Sequence, residues 1–234
     1  MKYKRKKQFS GLKKSYKKQF VNRMIYLAKK DILDMSSLID GLKENDKLIK
    51  DSENPGDSII NRTININRTF VPEAYISNSI LLLNLIQLSN DNKIKDGYIF
   101  PALFCFRQYL ELTMKDSIHN FMFVLGECDD SQSGFKKVHS LRELWQTLSM
   151  KILRFENNNT DLKIIGKLIN EFDSVDESSM AFRYPYQLDV EDNIKPNRLG
   201  RKCIEIKNLR DVELKMFRFM EGINELSYLK KSFN

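Results

Sequence analysis

The chain has 234 residues, of which 41% are hydrophobic and 30% are charged, and this balance is typical of a globular protein rather than a disordered one. Its 9 glycines and 5 prolines are too few for a collagen or a linker-rich chain, and they disfavour an all-β fold with many turns. A chain of this length can bury a large core without metals or disulfides. We therefore expect one domain of ordinary size with an appended arm.

The positive charge is concentrated near the N-terminus. Residues 1–30 contain twelve Lys or Arg and no Asp or Glu. Because the whole chain carries +8, residues 31–234 sum to −4 and form a mildly acidic body. A basic arm attracts nucleic-acid phosphates or anionic lipid head groups, or it is a solvated charge run that aids solubility. The first basic cluster of this arm consists of Lys4, Arg5, Lys6 and Lys7.

Cysteine usage and motif searches disfavour several classes of protein. Cys105, Cys128 and Cys203 are far apart and have no zinc-site spacing, and their odd number is typical of a reducing, cytoplasmic environment. The uncharged stretch 74–90 contains Asn, Ser and Gln, which predicts a buried helix rather than a membrane span. The chain has no GxxxxGK[ST], GxGxxG, GxSxG or HExxH motif, and we predict neither a metal nor a cofactor.

Taken in chain order, the first predicted element is a long helix over 12–50. Its apolar residues recur at steps of four and three from Val21 to Leu42, which is a heptad seam. Such a seam packs on its own domain or forms a short coiled coil. Residues 51–72 then break the pattern with a Pro-Gly turn, and the alternating INRTININRT predicts a short strand or an extended crossing segment.

The rest of the chain predicts a helical bundle. A central helix, almost surrounded by apolar residues, begins at Pro72-Glu73 and ends near residue 89. Ser140 and Glu143 have the spacing of a capping box, which predicts a helix start. The segment CIEIKNL predicts one short strand. The other helices are predicted over about 98–125, 140–152, 161–172 and 210–231.

The predicted fold class is therefore all-α, with one or two short extended segments. A basic arm and heptad-patterned helix cover 1–50, an irregular linker covers 51–72, and the helical bundle covers 73–234.

A polar row runs along the predicted helix 98–125. Arg107, Glu111 and Lys115 are spaced by four and share one face, and His119 continues the row. One interpretation is a ladder of i,i+4 ion pairs. The other is a functional site, because charges in the middle of a hydrophobic helix should face a pocket or a buried partner.

Two later segments add candidate residues. His139 stands just before the predicted N-cap, where a histidine serves as an acid or base or hydrogen-bonds the loop. Arg183 and Tyr184 lie among aromatic residues in the segment FRYP. That arginine either binds a phosphate or carboxylate, or forms a structural ion pair with Asp173 or Glu111.

The order of these motifs resembles the HEPN superfamily of bacterial α-helical domains. The motifs are an R-x-x-x-E-L-x-x-K helix, then H-S-L-x-x-L-W, F-R-Y-P and a final amphipathic helix, and the resemblance covers about residues 97–230. It implies a bundle that often dimerises and occurs in toxin–antitoxin, abortive-infection and RNA-targeting systems. Active members have an Arg-x(4-6)-His motif that forms a metal-independent ribonuclease site across the dimer. Here eleven residues separate Arg107 from His119, and the usual motif is absent.

The resemblance implies a cytoplasmic defence or toxin-type protein that acts on or binds RNA or a nucleotide. A non-standard ribonuclease site would use Arg107, Glu111, His139 and Arg183, with His139 as acid or base and the arginines stabilising phosphate charge. Lys115, Tyr184 and the basic arm would contact the nucleotide or RNA. The partners expected are RNA or a nucleotide and a second copy or another protein. The alternative is a non-catalytic interaction module or scaffold whose polar cluster is structural.

Overall fold

The computed structural model describes residues 64–128, 138–155, 160–176, 179–184, 186–188, 193–196 and 202–232, together with the single residues Leu48, Glu53 and Ser58. Apart from Leu48, the predicted arm and heptad helix lie outside the described residues. The cluster Lys4, Arg5, Lys6 and Lys7 therefore also lies outside the described residues.

Within these ranges the chain forms five α-helices and one small antiparallel sheet. The helices are α1 (Ile64–Leu88), α2 (Asn92–Val124), α3 (Leu141–Ile152), α4 (Thr160–Val175) and α5 (Ile206–Ser232). The strands β1 (Tyr186–Leu188) and β2 (Ile194–Pro196) pair between α4 and α5, with Gln187 opposite Lys195. The prediction of an all-α bundle is confirmed.

Helix α2 is the central element of the bundle. It packs against α1, α3 and α5, while α4 packs on α3 and α1 also contacts α5. The core is made of apolar side chains from all five helices, and its fully buried members include Leu110, Met114, Leu148, Ile169 and Met220. Because other helices cover α2 on several sides, even its polar residues are buried over much of its length.

The predicted irregular linker is wrong for residues 64–72. These residues form the first turns of α1, and Pro72 lies inside the helix. An internal proline removes one helical hydrogen bond, but a contact with another helix supports this end of α1. Arg68 Nε donates to Asp116 Oδ1 of α2 at 2.5 Å. Local alternation therefore predicted the wrong structure where a tertiary contact favours the helix.

The strand predicted in CIEIKNL is also wrong. Residues 202–205 belong to no strand, and α5 begins at Ile206. The N–H of Leu209 already donates to the carbonyl of Glu205 at 3.0 Å. The alternating pattern is only four residues long, and it precedes a long amphipathic helix whose packing decides the structure.

Helix α1 is not the central helix that its sequence predicts. Ile76, Leu83 and Ile86 are buried, but Phe70 and Leu81 are 59% and 56% exposed. Among the described helices it alone contains a segment, Arg68–Leu88, long and apolar enough to cross a membrane by length and composition. The core helix of a soluble protein meets the same criteria of length and composition, so these criteria alone do not identify a membrane span.

Candidate functional site

The polar row of α2 meets the start of α3 in one network centred on Glu111. Lys115 Nζ donates to Glu111 Oε1 at 2.7 Å, and His139 Nδ1 lies 2.9 Å from the same oxygen. Arg107 Nη1 donates to Oε2 at 3.2 Å. Both carboxylate oxygens are therefore engaged. The structure thus brings together four of the predicted residues.

Arg107 lies in the interior of this network. Its side chain is fully buried, and Nη2 donates to the main-chain oxygen of His139 at 2.6 Å. Its Nε lies 3.0 Å from Asp176 Oδ2. One guanidinium therefore connects α2 to His139, two residues before α3, and to Asp176, the residue after α4. Two carboxylates offset its buried charge.

The burial of Arg107 corrects its predicted role. A guanidinium with no exposed surface cannot contact the phosphate of a substrate in this structure. Its partners all belong to the chain itself, so it positions other groups. The charged row combines features of both interpretations that the sequence allows, the ladder of ion pairs and the row that faces a buried partner. It contains i,i+4 ion pairs, and it also reaches residues distant in sequence.

Asp176 was not among the predicted site residues. It is 2% exposed, and its Oδ1 accepts from the N–H of Ala181 at 2.7 Å. Burial raises the pKa of Asp176, while the Ala181 amide and the positive charge of Arg107 lower it by less. In the sequence, Asp176 stands in an acidic and polar stretch with no distinguishing pattern. Only the packing of α2 beside this segment identifies it.

His139 combines a fixed backbone with an exposed ring. Its side chain is 66% exposed, whereas that of Glu111 is 7% exposed. Because a carboxylate only accepts hydrogen bonds, Nδ1 carries the proton that faces Glu111. Nε2 is then the nitrogen available for proton transfer. A carboxylate that orients an imidazole in this way is the arrangement used in general acid–base catalysis.

The chain around His139 is fixed by caps at the start of α3. The hydroxyl of Ser140 accepts from the N–H of Glu143 at 3.2 Å. Ser140 is therefore the N-cap of α3, as the sequence predicts. In addition, Asp173 Oδ1 of α4 accepts from the N–H of Leu141 at 2.8 Å. This second cap was not predicted. It ties the start of α3 to α4 and so restricts the position of His139.

Arg183 lies beside this network and forms a different set of contacts. Its Nε donates to the carbonyl of Ser179 at 2.7 Å and its Nη2 to the hydroxyl of Ser179 at 3.2 Å. Its guanidinium lies 5.8 Å from the centroid of the Phe104 ring, within range of a cation–π contact. Its charge also lowers the pKa of Asp176 slightly, although burial raises that pKa more.

The predicted structural pairing of Arg183 with Asp173 or Glu111 is wrong for the residues that the structure describes. The short-range contacts with Ser179 hold the guanidinium instead. Arg183 and Tyr184 are both exposed, Tyr184 by 48%, so both remain accessible to a ligand. His119 is 4% exposed on α2, one turn beyond Lys115. It is thus too deeply buried to be an exposed acid or base.

In the described part of the chain, no group of three or more His, Cys, Asp or Glu side chains could hold a metal ion. Comparison with protein-family models, with curated proteins and with solved structures yields no match for this chain. The resemblance to the HEPN superfamily therefore remains a prediction from the order of the motifs.

Proposed function

We propose that the chain is a HEPN-like defence or toxin-type protein that acts on RNA or a nucleotide, with His139 as its acid–base residue. The observation that supports this proposal is the exposed imidazole whose Nδ1 is bonded to the Glu111 carboxylate. Lys115 and Arg107 hold that carboxylate in place. A functional side chain needs its orientation fixed by supporting contacts, and the contact with Glu111 supplies one for His139.

The proposed chemistry is cleavage of RNA through the ribose 2′-hydroxyl. A base removes the 2′ proton, the oxygen attacks phosphorus, and the 5′ oxygen leaves with a proton from an acid. His139 Nε2 supplies one of these functions, and His139 of a second copy in a homodimer supplies the other. Lys115, which contacts Glu111, and the exposed Arg183 are the cations proposed to stabilise the charge on phosphorus.

The alternative function is a non-catalytic interaction module or scaffold. It is supported by Arg107, whose buried guanidinium has three partners within the chain. In that case the Glu111–His139 contact only fixes the loop before α3. Exposed apolar side chains on α1, such as Phe70 and Leu81, would then contribute to the surface for a protein partner.

The test is an RNA-cleavage assay with the full chain, freed of nucleic acid, in EDTA. The substrate is total cellular RNA, with a 2′-deoxy oligonucleotide as the chemical control. We expect the parent protein to cleave the RNA but not the 2′-deoxy oligonucleotide. The rate of RNA cleavage should fall about 100-fold or more in His139→Ala. The matched control is Gln146→Ala, an exposed position on α3. The melting temperatures of both variants should equal that of the parent protein.

Two results would contradict the catalytic proposal. Equal cleavage by the parent protein and His139→Ala would exclude His139 as the acid–base residue. Intact RNA in every lane would favour the interaction module.

A further inference from the structure

A second polar row lies on the opposite face of α2. Tyr109, Thr113, Asp116 and Asn120 are spaced by four, three and four, and Tyr109 is about 200° around the helix from Arg107. All four are buried, with exposed fractions of 1%, 1%, 8% and 0%. This row faces α1 and α5, whereas the row that includes Arg107 faces the start of α3.

The second row forms one wall of a cavity between α1, α2 and α5. Its volume is about 130 Å³, which has room for several water molecules or a short alkyl chain. Helix α1 contributes Arg68 and Glu73 to the walls. Helix α5 contributes Glu221, Glu225 and Tyr228.

On one wall of the cavity, the charged side chains of Arg68 and Asp116 pair with each other. Arg68 Nε donates to Asp116 Oδ1 at 2.5 Å, and the hydroxyl of Tyr228 donates to Asp116 Oδ2 at 2.9 Å. The charges of Arg68 and Asp116 therefore offset each other.

The two hydroxyls nearest the centre of α2 are not satisfied. Tyr109 Oη and Thr113 Oγ1 are buried at the cavity wall without a hydrogen bond of normal geometry in the described structure. Burial and then the charge of Glu221 raise the pKa of Tyr109, and a hydrogen-bond contact with the Thr113 hydroxyl lowers it by less. An unsatisfied buried hydroxyl costs about 1–3 kcal/mol, so a polar group bound in the cavity would stabilise this pair.

The remaining charge of the cavity is negative. Glu73 and Glu225 are exposed and Glu221 is partly buried, and among the described residues no ion pair joins any of them to a Lys or Arg. Burial raises the pKa of Glu221, and the negative charges of Glu73 and Glu225 raise it further. These carboxylates therefore repel one another, and a cation placed among them relieves that repulsion.

We propose that this cavity binds the terminal ammonium group of an aliphatic polyamine. An ammonium has three N–H donors, which match the hydroxyl oxygens of Tyr109 and Thr113 and the carboxylate of Glu221. The rings of Tyr109 and Tyr228 line the same cavity and favour a cation over their faces.

Two other ligand classes fit less well. A metal ion is disfavoured because no described group of three acidic, His or Cys side chains has the required spacing. Arg68 Nη2 is buried without an acceptor, and this donor favours an anion. Its charge is already paired with Asp116, however, and three carboxylates outweigh it.

Isothermal titration of spermidine and putrescine into the full chain, freed of nucleic acid, tests the proposal. We expect saturable binding of both amines. The reference titration contains NaCl at a matched ionic strength. Glu221→Gln should weaken it about tenfold or more, since it removes one charged acceptor. Glu205→Gln, the same change at an exposed position before α5, should leave it unaltered.

Thr113→Val provides a second variant that keeps the side-chain shape. It should weaken amine binding while leaving the melting temperature of the free protein equal or higher, because it removes an unsatisfied hydroxyl. The proposal is overturned by equal weakening in Glu221→Gln and Glu205→Gln, which would indicate diffuse attraction to the acidic body. It is also overturned by the absence of saturable amine binding, or by preferential binding of inorganic phosphate. The measurement does not depend on RNA cleavage.

Discussion

The hydroxyl of Ser79 lies 2.8 Å from Oε2 of Glu213 and 2.9 Å from the main-chain oxygen of Ala102. Serine has one hydroxyl proton, so it cannot donate to both oxygens at once. The Ser79 hydroxyl donates to Ala102 when a protonated Glu213 donates to it, or it donates to an ionised Glu213, and only the second arrangement lowers the pKa of Glu213. Burial raises the pKa of Glu213 to about 8, more than the bond with Ser79 lowers it. We therefore expect Glu213 to be mostly protonated at pH 7.

This neutral carboxyl makes the stability of the fold depend on pH. The folded chain holds the proton up to a pKa of about 8, whereas the unfolded chain releases it near 4.5. The contribution of the protonated Glu213 to the free energy of unfolding is complete below about pH 4.5 and is lost as the pH rises towards 8. We expect the free energy of unfolding to fall by on the order of 3–5 kcal/mol across that interval.

Urea unfolding at pH 5 and pH 8 measures this effect. Glu213→Gln cannot ionise, so its free energy of unfolding should change much less between the two values. Glu205→Gln, at an exposed position, should keep the pH dependence of the parent protein. Identical pH dependence in the parent protein and Glu213→Gln would show that Glu213 is not responsible.

Removing Arg107 should destabilise the whole bundle. Arg107→Ala leaves Glu111 and Asp176 buried without their shared cation, at an expected cost of about 3–5 kcal/mol. Arg218→Ala, at an exposed position on α5, should change stability by no more than about 0.5 kcal/mol. Chemical denaturation compares the two. Similar small changes in both variants would mean that the network contributes little to folding.

The capping bond between Asp173 and Leu141 should control the start of α3. Asp173→Ala removes the acceptor of the Leu141 N–H and is expected to cost about 1–3 kcal/mol. Amide hydrogen exchange at Leu141 should accelerate more than exchange in the middle of α3. Glu171→Ala, at an exposed position of α4, is the matched control. Unchanged exchange at Leu141 in Asp173→Ala would contradict this role.

Close packing between α3 and α4 requires glycine at position 166. A Cβ there would meet Trp145 Nε1 at 2.6 Å, which forces the indole or a helix to move. The overpacking cost of about 1–3 kcal/mol exceeds the roughly 1 kcal/mol that alanine contributes through helix propensity. We therefore expect Gly166→Ala to lower the melting temperature.

Gly222→Ala supplies the matched control for this contact. No atom lies within 4 Å of a Cβ at Gly222 of α5. Only the higher helix propensity of alanine then changes stability, and the melting temperature of Gly222→Ala should rise. A rise in both variants would show that the Trp145 indole accommodates the added methyl group at no cost.

Local chemistry explains the features that the sequence predicted correctly. The period of the apolar residues identified the helical bundle, and Ser140 with Glu143 marked the start of α3 within one residue. The spacing of Arg107, Glu111 and Lys115 predicted their shared face. Each of these patterns spans only a few residues, and interactions over so short a range are visible in the chain itself.

Only the tertiary structure decided which distant groups meet. Asp176 contacts Arg107, Asp173 caps α3, and Glu213 reaches Ser79 across 134 positions of the chain. The position and exposure of each side chain depend on how whole helices pack, and a one-dimensional pattern does not contain that information. The sequence by itself determined that α2 carries charged residues on an apolar helix. Packing determined that Arg107 is buried, that the ring of His139 is exposed, and that the row of Tyr109 and Thr113 faces a cavity.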